Sequence, residues 1–125
     1  MIPWLAVFVG GGVGSVLRYL LAKHYNQVGD GYLIFPYGTF IANIISCLLL
    51  GVLIHKHMNG QLSDHTKFLL ATGFCGGFST FSTFGYEIYV YMQKGQLMLG
   101  LGYTALSLVL GVLAIGLGMK LAAVW

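Results

Sequence analysis

Three groups of residues could do chemistry in this otherwise apolar sequence. Thr39, Asn43 and Ser46 stand at i, i+4 and i+7, which puts them along one face of a helix. Asn43 is the informative member, because a carboxamide far from water needs partners. It can serve as an interhelical hydrogen bond or as an amide donor facing a water-filled path, and its position fits both. Glu87 is the one acid inside an apolar stretch, and Arg18 is its basic counterpart. Ionisable groups in that setting either pair internally or take part in transport. Tyr86, Tyr89 and Tyr91 flank Glu87 and place it toward a membrane–water interface.

The third group is the run Gly73-Phe74-Cys75-Gly76-Gly77-Phe78-Ser79-Thr80-Phe81-Ser82-Thr83-Phe84. Each glycine weakens a helix by about 1 kcal/mol relative to alanine, and the hydroxyls offer freed backbone groups local partners. The run predicts an interrupted helix, which at membrane depth must be buried in protein or line a cavity. Such interruptions present backbone carbonyls and helix ends to ions. Phe78, Phe81 and Phe84 recur at steps of three among the hydroxyls. A ring edge is the positive part of an aromatic quadrupole. Edges beside Ser, Thr and Asn donors can therefore accept a small, hard, strongly hydrated anion without a full positive charge to trap it.

The elements that must position these groups are membrane helices. Of 125 residues, 58% are hydrophobic and 7% charged, far too few charges for a water-exposed exterior, and 19 are glycine. Spans are expected at about 2–21, 35–54, 68–92 and 97–119, forming one transmembrane domain over residues 1–125. The first apolar stretch lacks a basic n-region and a cleavage site, and reads as a retained helix. His24 to Ile34 and His55 to Lys67 read as connections, which gives the four histidines a solvated setting; Lys94 and Gly95 form the third. Cys47 and Cys75 have no partners at metal or redox spacing. Six scattered basic residues exclude nucleic acid as a partner.

Gly10 and Gly14 form a G-x-x-x-G pair, and Ser107, Gly111, Ala114 and Gly118 share one face of the last span. Both patterns favour close helix packing. Lys56, Lys67 and Lys120 fall on one side, and Arg18, Lys23 and Lys94 on the other if Arg18 sits at its helix end. Three against three gives the positive-inside rule nothing to act on. Insertion both ways up and antiparallel pairing follow as an expectation, and four helices are too few to enclose a path alone.

Across nearly its whole length the chain resembles the Fluc fluoride channels, also called CrcB proteins. The resemblance rests on Gly11-Gly12-Val13-Gly14-Ser15-Val16-Leu17-Arg18-Tyr19, on Pro36-Tyr37-Gly38-Thr39 followed by Asn43, and on the Gly73–Phe84 run with Glu87 after it. It implies an all-α membrane protein of four transmembrane helices, the third broken, assembling as an antiparallel dual-topology homodimer with two fluoride pores. It further implies Phe81 and Phe84 as pore phenylalanines, Asn43 as the pore asparagine, and Ser82 and Thr83 as a hydroxyl track. A structural sodium ion at the dimer centre would be held by backbone carbonyls of Gly76 and Ser79, with Arg18 and Glu87 as supporting charges. The family often carries a hydroxyl in the second half of span four, where this chain reads Gly111 to Gly118. Ser107 is the one hydroxyl in the core of that span, and Phe78 stands where relatives commonly have another apolar residue.

The implied activity is passive fluoride export across a prokaryotic plasma membrane, the inner membrane in a Gram-negative cell, with lipid as the solvent and no enzymatic step. Two other classes share some of these features. A small dual-topology multidrug transporter needs an acid deep in span one, and Ile2 to Leu21 contains none. A non-transporting membrane interaction protein accounts for the glycine faces but leaves the third span unexplained.

Overall fold

The computed structural model describes residues 2–29 and 32–125, with backbone alone for 26–29 and 32–34. Asp30, one of the acids in the charge count, lies outside the described residues. Three long helices dominate: α1 (Pro3–Tyr25), α2 (Tyr37–Met58) and, at the carboxyl end, α6 (Leu97–Ala123). At about 1.5 Å per residue each is long enough to cross a hydrocarbon core of about 30 Å, and each is apolar enough to do so. Large apolar side chains such as Phe8, Val16, Leu108 and Val112 point outward. The protein is therefore a multi-pass membrane protein.

Between α2 and α6 the chain is subdivided. It runs through a short helix α3 (Asp64–Thr66), a π-helical segment Lys67–Cys75, one turn α4 (Gly76–Phe78) and α5 (Phe81–Gln93). Ser63 caps α3 by accepting a hydrogen bond from the Thr66 amide, and Thr80 caps α5 by accepting one from Thr83. The segment expected as a loop from His24 is organised differently. Helix α1 continues to Tyr25, and β1 (Asn26–Gly29) then pairs antiparallel with β2 (Tyr32–Pro36). Backbone groups leaving α1 thus find partners in a hairpin.

Small residues set the helix contacts. Gly14 lies so close to the π-helical segment and α4 that an added Cβ would collide with the backbone of Phe74 and Phe78, and Gly77 is equally tight against Gly11. On the other side, Gly118 of α6 abuts the Leu48 carbonyl of α2. Gly10 and Gly14, and Gly111, Ala114 and Gly118, are all buried. The expected packing faces are present, although Ser107 has a different setting described below. Two apolar clusters fill the remaining interior. One gathers Phe84, Tyr91 and Tyr103, and the other Leu53, Ala71 and Cys75.

The ends of α2 and α6 meet. Lys56 Nζ donates to the Trp125 carbonyl at 3.3 Å and lies 5.2 Å from its ring centroid. In the adjoining connection Asp64 lies 3.6 Å from His57 and 3.9 Å from Lys67.

Candidate functional site

Helical hydrogen bonding ends with the Ser79 amide on the Cys75 carbonyl and resumes with α5 at Phe81, because Ser79 (φ −78°, ψ 158°) and Thr80 (φ −151°, ψ 125°) are extended. Extended backbone inside a helical layer leaves polar groups to be satisfied, and side chains from α1 and α2 take up several of them. Asn43 of α2 faces Thr80 and uses both ends of its amide. Oδ1 accepts from the Thr80 N–H at 2.8 Å, and Nδ2 donates to the Thr80 carbonyl at 3.3 Å. From α1, Arg18 Nε donates to the Gly77 carbonyl at 3.1 Å and Ser15 Oγ reaches it at 3.4 Å. Ser79 Oγ turns back to the Cys75 carbonyl at 2.7 Å.

Arg18 is thus not at a helix end. Helix α1 runs seven residues further, to Tyr25, and the guanidinium serves a carbonyl that a continuing helix would have used. Removing Arg18 from the charge count leaves Lys23 and Lys94 against Lys56, Lys67 and Lys120.

A cavity of about 250 Å³ opens beside the extended residues. Helix α2 contributes Asn43 and Cys47; Ser79, Thr80, Phe81 and Phe84 form a second wall; Ser107 and Leu108 of α6 close the third. The Phe81 and Phe84 centroids are 6.3 Å apart with planes tilted by 47°. Phe84 is buried, whereas Phe81 is 85% exposed in the single chain. None of the residues lining the cavity is charged. The fold thus brings together Asn43, Phe81 and Phe84 as the sequence led us to expect. Ser82 and Thr83 are not among the residues lining the cavity, because neighbouring residues on a helix point about 100° apart and Phe81 and Phe84 share the side that borders it. Ser82 is exposed with its Oγ 3.5 Å from that of Thr80, and the Thr83 amide is held by the Thr80 cap.

Ser107 is the residue whose place the sequence did not disclose. Its hydroxyl is buried without a partner and faces the cavity. The available signal was a serine on the small-residue face of α6, four residues before Gly111.

Glu87 is enclosed by the protein. It is 5% exposed, and its two carboxylate oxygens accept hydrogen bonds from Thr39 Oγ1 (2.8 Å) and Tyr103 Oη (2.9 Å). Its tyrosine neighbours divide by helical phase, with Tyr86 and Tyr89 outward and Tyr91 buried. Tyr103 also meets Phe84 edge-on at 5.1 Å, so this carboxylate cluster backs directly onto the cavity wall. The stripe Thr39, Asn43, Ser46 therefore divides its work: Thr39 serves Glu87, Asn43 serves Thr80, and Ser46 lines a second, smaller cavity.

Among the described residues no group of three or more His, Cys, Asp or Glu side chains could hold a metal ion. Backbone oxygen is another matter. The amide four residues beyond Gly76 is that of Thr80, which is taken by Asn43, and the amide four beyond Ser79 is that of Thr83, taken by Thr80 Oγ1. The Gly76 and Ser79 carbonyls are thereby released from helical pairing, and nothing lies within 4 Å of the position a Gly76 Cβ would take. Uncharged oxygen donors of this kind fit a hard monovalent cation.

A family model described as "CrcB-like protein, Camphor Resistance (CrcB)" matches residues 5–119. A protein of Gloeothece citriformis named "Fluoride-specific ion channel FluC" is 41% identical over 125 residues, covering 97% of each chain. One of Leptospira interrogans with the same name is 43% identical over 122 residues, covering 97% of this chain and 91% of its own. A third, of Ignicoccus hospitalis, is 39% identical over 119 residues, covering 95% and 92%. With a match of that extent, and relatives this similar end to end, the chain belongs to the CrcB-like family.

Proposed function

We propose that the protein is a fluoride-selective channel that lets fluoride leave the cytoplasm down its electrochemical gradient. The observation that carries this reading is the uncharged cavity onto which Asn43, the Phe81 and Phe84 rings and the Ser107 hydroxyl converge. Fluoride enters such a site only if its hydration is replaced. The second Nδ2 hydrogen of Asn43, the aromatic edges and the hydroxyl replace it with weak donors, and a site without fixed positive charge releases the ion again. Glu87, which accepts from two hydroxyl donors, anchors Tyr103 and through it the Phe84 ring. In acid surroundings hydrogen fluoride crosses the bilayer and dissociates inside, and a passive pore in the plasma membrane of a prokaryote empties the accumulated anion. No covalent step is required.

The working unit in this reading is an antiparallel homodimer. Phe81, a large apolar ring left 85% exposed beside the cavity, supports a second chain closing the path. Ser82, exposed on the same turn, and Thr83 would extend the hydroxyl track there. The near balance of basic residues between the two sides supports insertion in both orientations. The Gly76 and Ser79 carbonyls would hold a structural sodium ion shared by the two chains, which would offset carbonyl dipoles at the centre of the assembly.

Purified protein reconstituted in liposomes and followed with a fluoride electrode tests the activity. Rapid fluoride efflux with chloride retained is the expected result; no fluoride efflux, or equal passage of chloride, would sink the reading. A multidrug transporter is disfavoured by the lack of any acid in α1.

A further inference from the structure

The second cavity, of about 150 Å³, shares Cys47 and Ser79 with the first and lies behind the extended residues. Its wall carries Ser46, which is 3% exposed and whose Oγ has no hydrogen-bond partner. A helical serine commonly folds its hydroxyl onto the carbonyl four residues earlier, and the Ser46 hydroxyl makes no such bond. An unpaired buried hydroxyl is destabilising, and in a native fold it marks a place where water or an ion completes the pairing. Gly76 lines the same cavity, and its carbonyl has lost its helical donor to Asn43. Ser79 is there too; its hydroxyl donates to Cys75 and keeps lone pairs free to accept. One donor hydroxyl and two acceptors in a cavity of this size match the two to four partners a buried water takes.

We propose that Ser46 anchors a water molecule in this cavity. The water accepts from the Ser46 hydroxyl and donates to the Gly76 carbonyl, occupying one of its two lone pairs. Ser46 is thereby a positioning residue for the released carbonyls, fixing the direction of the other Gly76 lone pair. That last step rests on the sodium reading above, whereas the water itself does not. Ser46→Ala removes one atom and keeps the helix, while Ser46→Thr restores the hydroxyl.

The test uses the full chain in detergent, with hydrogen exchange read by mass spectrometry over residues 76–81 and thermal unfolding followed against sodium concentration. In Ser46→Ala we expect exchange over 76–81 to accelerate roughly three- to tenfold, as for loss of one water-mediated hydrogen bond. The sodium concentration giving half of the thermal protection rises by a similar factor, and Ser46→Thr reverses both. Unchanged exchange in Ser46→Ala overturns the bound water. Faster exchange with unaltered sodium dependence overturns the positioning role. Wild-type protein indifferent to sodium refutes the sodium reading alone, and exchange then still decides for or against the Ser46 water.

Discussion

Asn43→Asp separates the two tasks of one side chain. A carboxylate still accepts from the Thr80 N–H, held at 2.8 Å in the native pair, but loses the donor to the Thr80 carbonyl at 3.3 Å. One neutral hydrogen bond is lost and the other becomes charge-assisted, so the net effect on folding is about 1 kcal/mol. The effect on the anion is larger. A negative charge ~4 Å from a passing fluoride, at an effective dielectric of about 20, repels it by about 4 kcal/mol. At 1.36 kcal/mol per decade this lowers flux roughly a thousandfold. Asn43→Ala adds no charge but orphans both backbone groups of Thr80, at about 1 to 3 kcal/mol each. Its damage should therefore appear in unfolding before it appears in flux. The assay is electrode-recorded efflux from liposomes at about pH 8, where an aspartate is ionised, paired with thermal unfolding of the same preparations. Asn43→Asp keeping more than about a tenth of wild-type flux would refute the placement of this amide on the ion path.

Phe81→Ile and Phe84→Ile should both slow fluoride efflux at least about tenfold by removing ring edges. Only the second should destabilise the chain, by about 1 to 2 kcal/mol, because Phe84 is buried and Phe81 exposed. Unchanged flux in both would remove the rings from the mechanism. Glu87→Gln makes Thr39 or Tyr103 accept from an amide NH2 where it donated to a carboxylate, replacing charge-assisted bonds by neutral ones, and thermal unfolding should show a loss of about 1 to 2 kcal/mol. Arg18→Gln withdraws a charged donor from the Gly77 carbonyl, at about 1.5 to 3 kcal/mol, with hydrogen exchange rising around residues 77–80. Gly14→Ala drives a methyl group into the Phe74 and Phe78 backbone, so folded yield should collapse, while Gly12→Ala, whose Cβ meets nothing, should express normally.

The helices were legible because long apolar stretches have few other uses, and the grouping of Asn43 with Phe81 and Phe84 came from the family resemblance that their motifs carry. What could not be read were the partners. Periodicity assigns a residue to a face without naming what the face meets. Arg18 and Gly77 lie 59 positions apart, and Asn43 and Thr80 37 apart. The burial of Glu87 was hidden because three nearby tyrosines look alike in sequence, whereas helical phase sends two outward and one inward. The hairpin after Tyr25 escaped notice because its glycines read equally well as a loop.

The Asn43–Thr80 pairing carries a consequence for anyone wishing to retune the pore for another anion. The amide behaves as a rung of a β-ladder made by a side chain, with its oxygen and one of its hydrogens committed to the main chain. A single N–H remains adjustable. Substitutions at this position redraw the backbone before they redraw the preference for one halide over another, so an engineered filter has more freedom at Ser107, whose hydroxyl holds up nothing else.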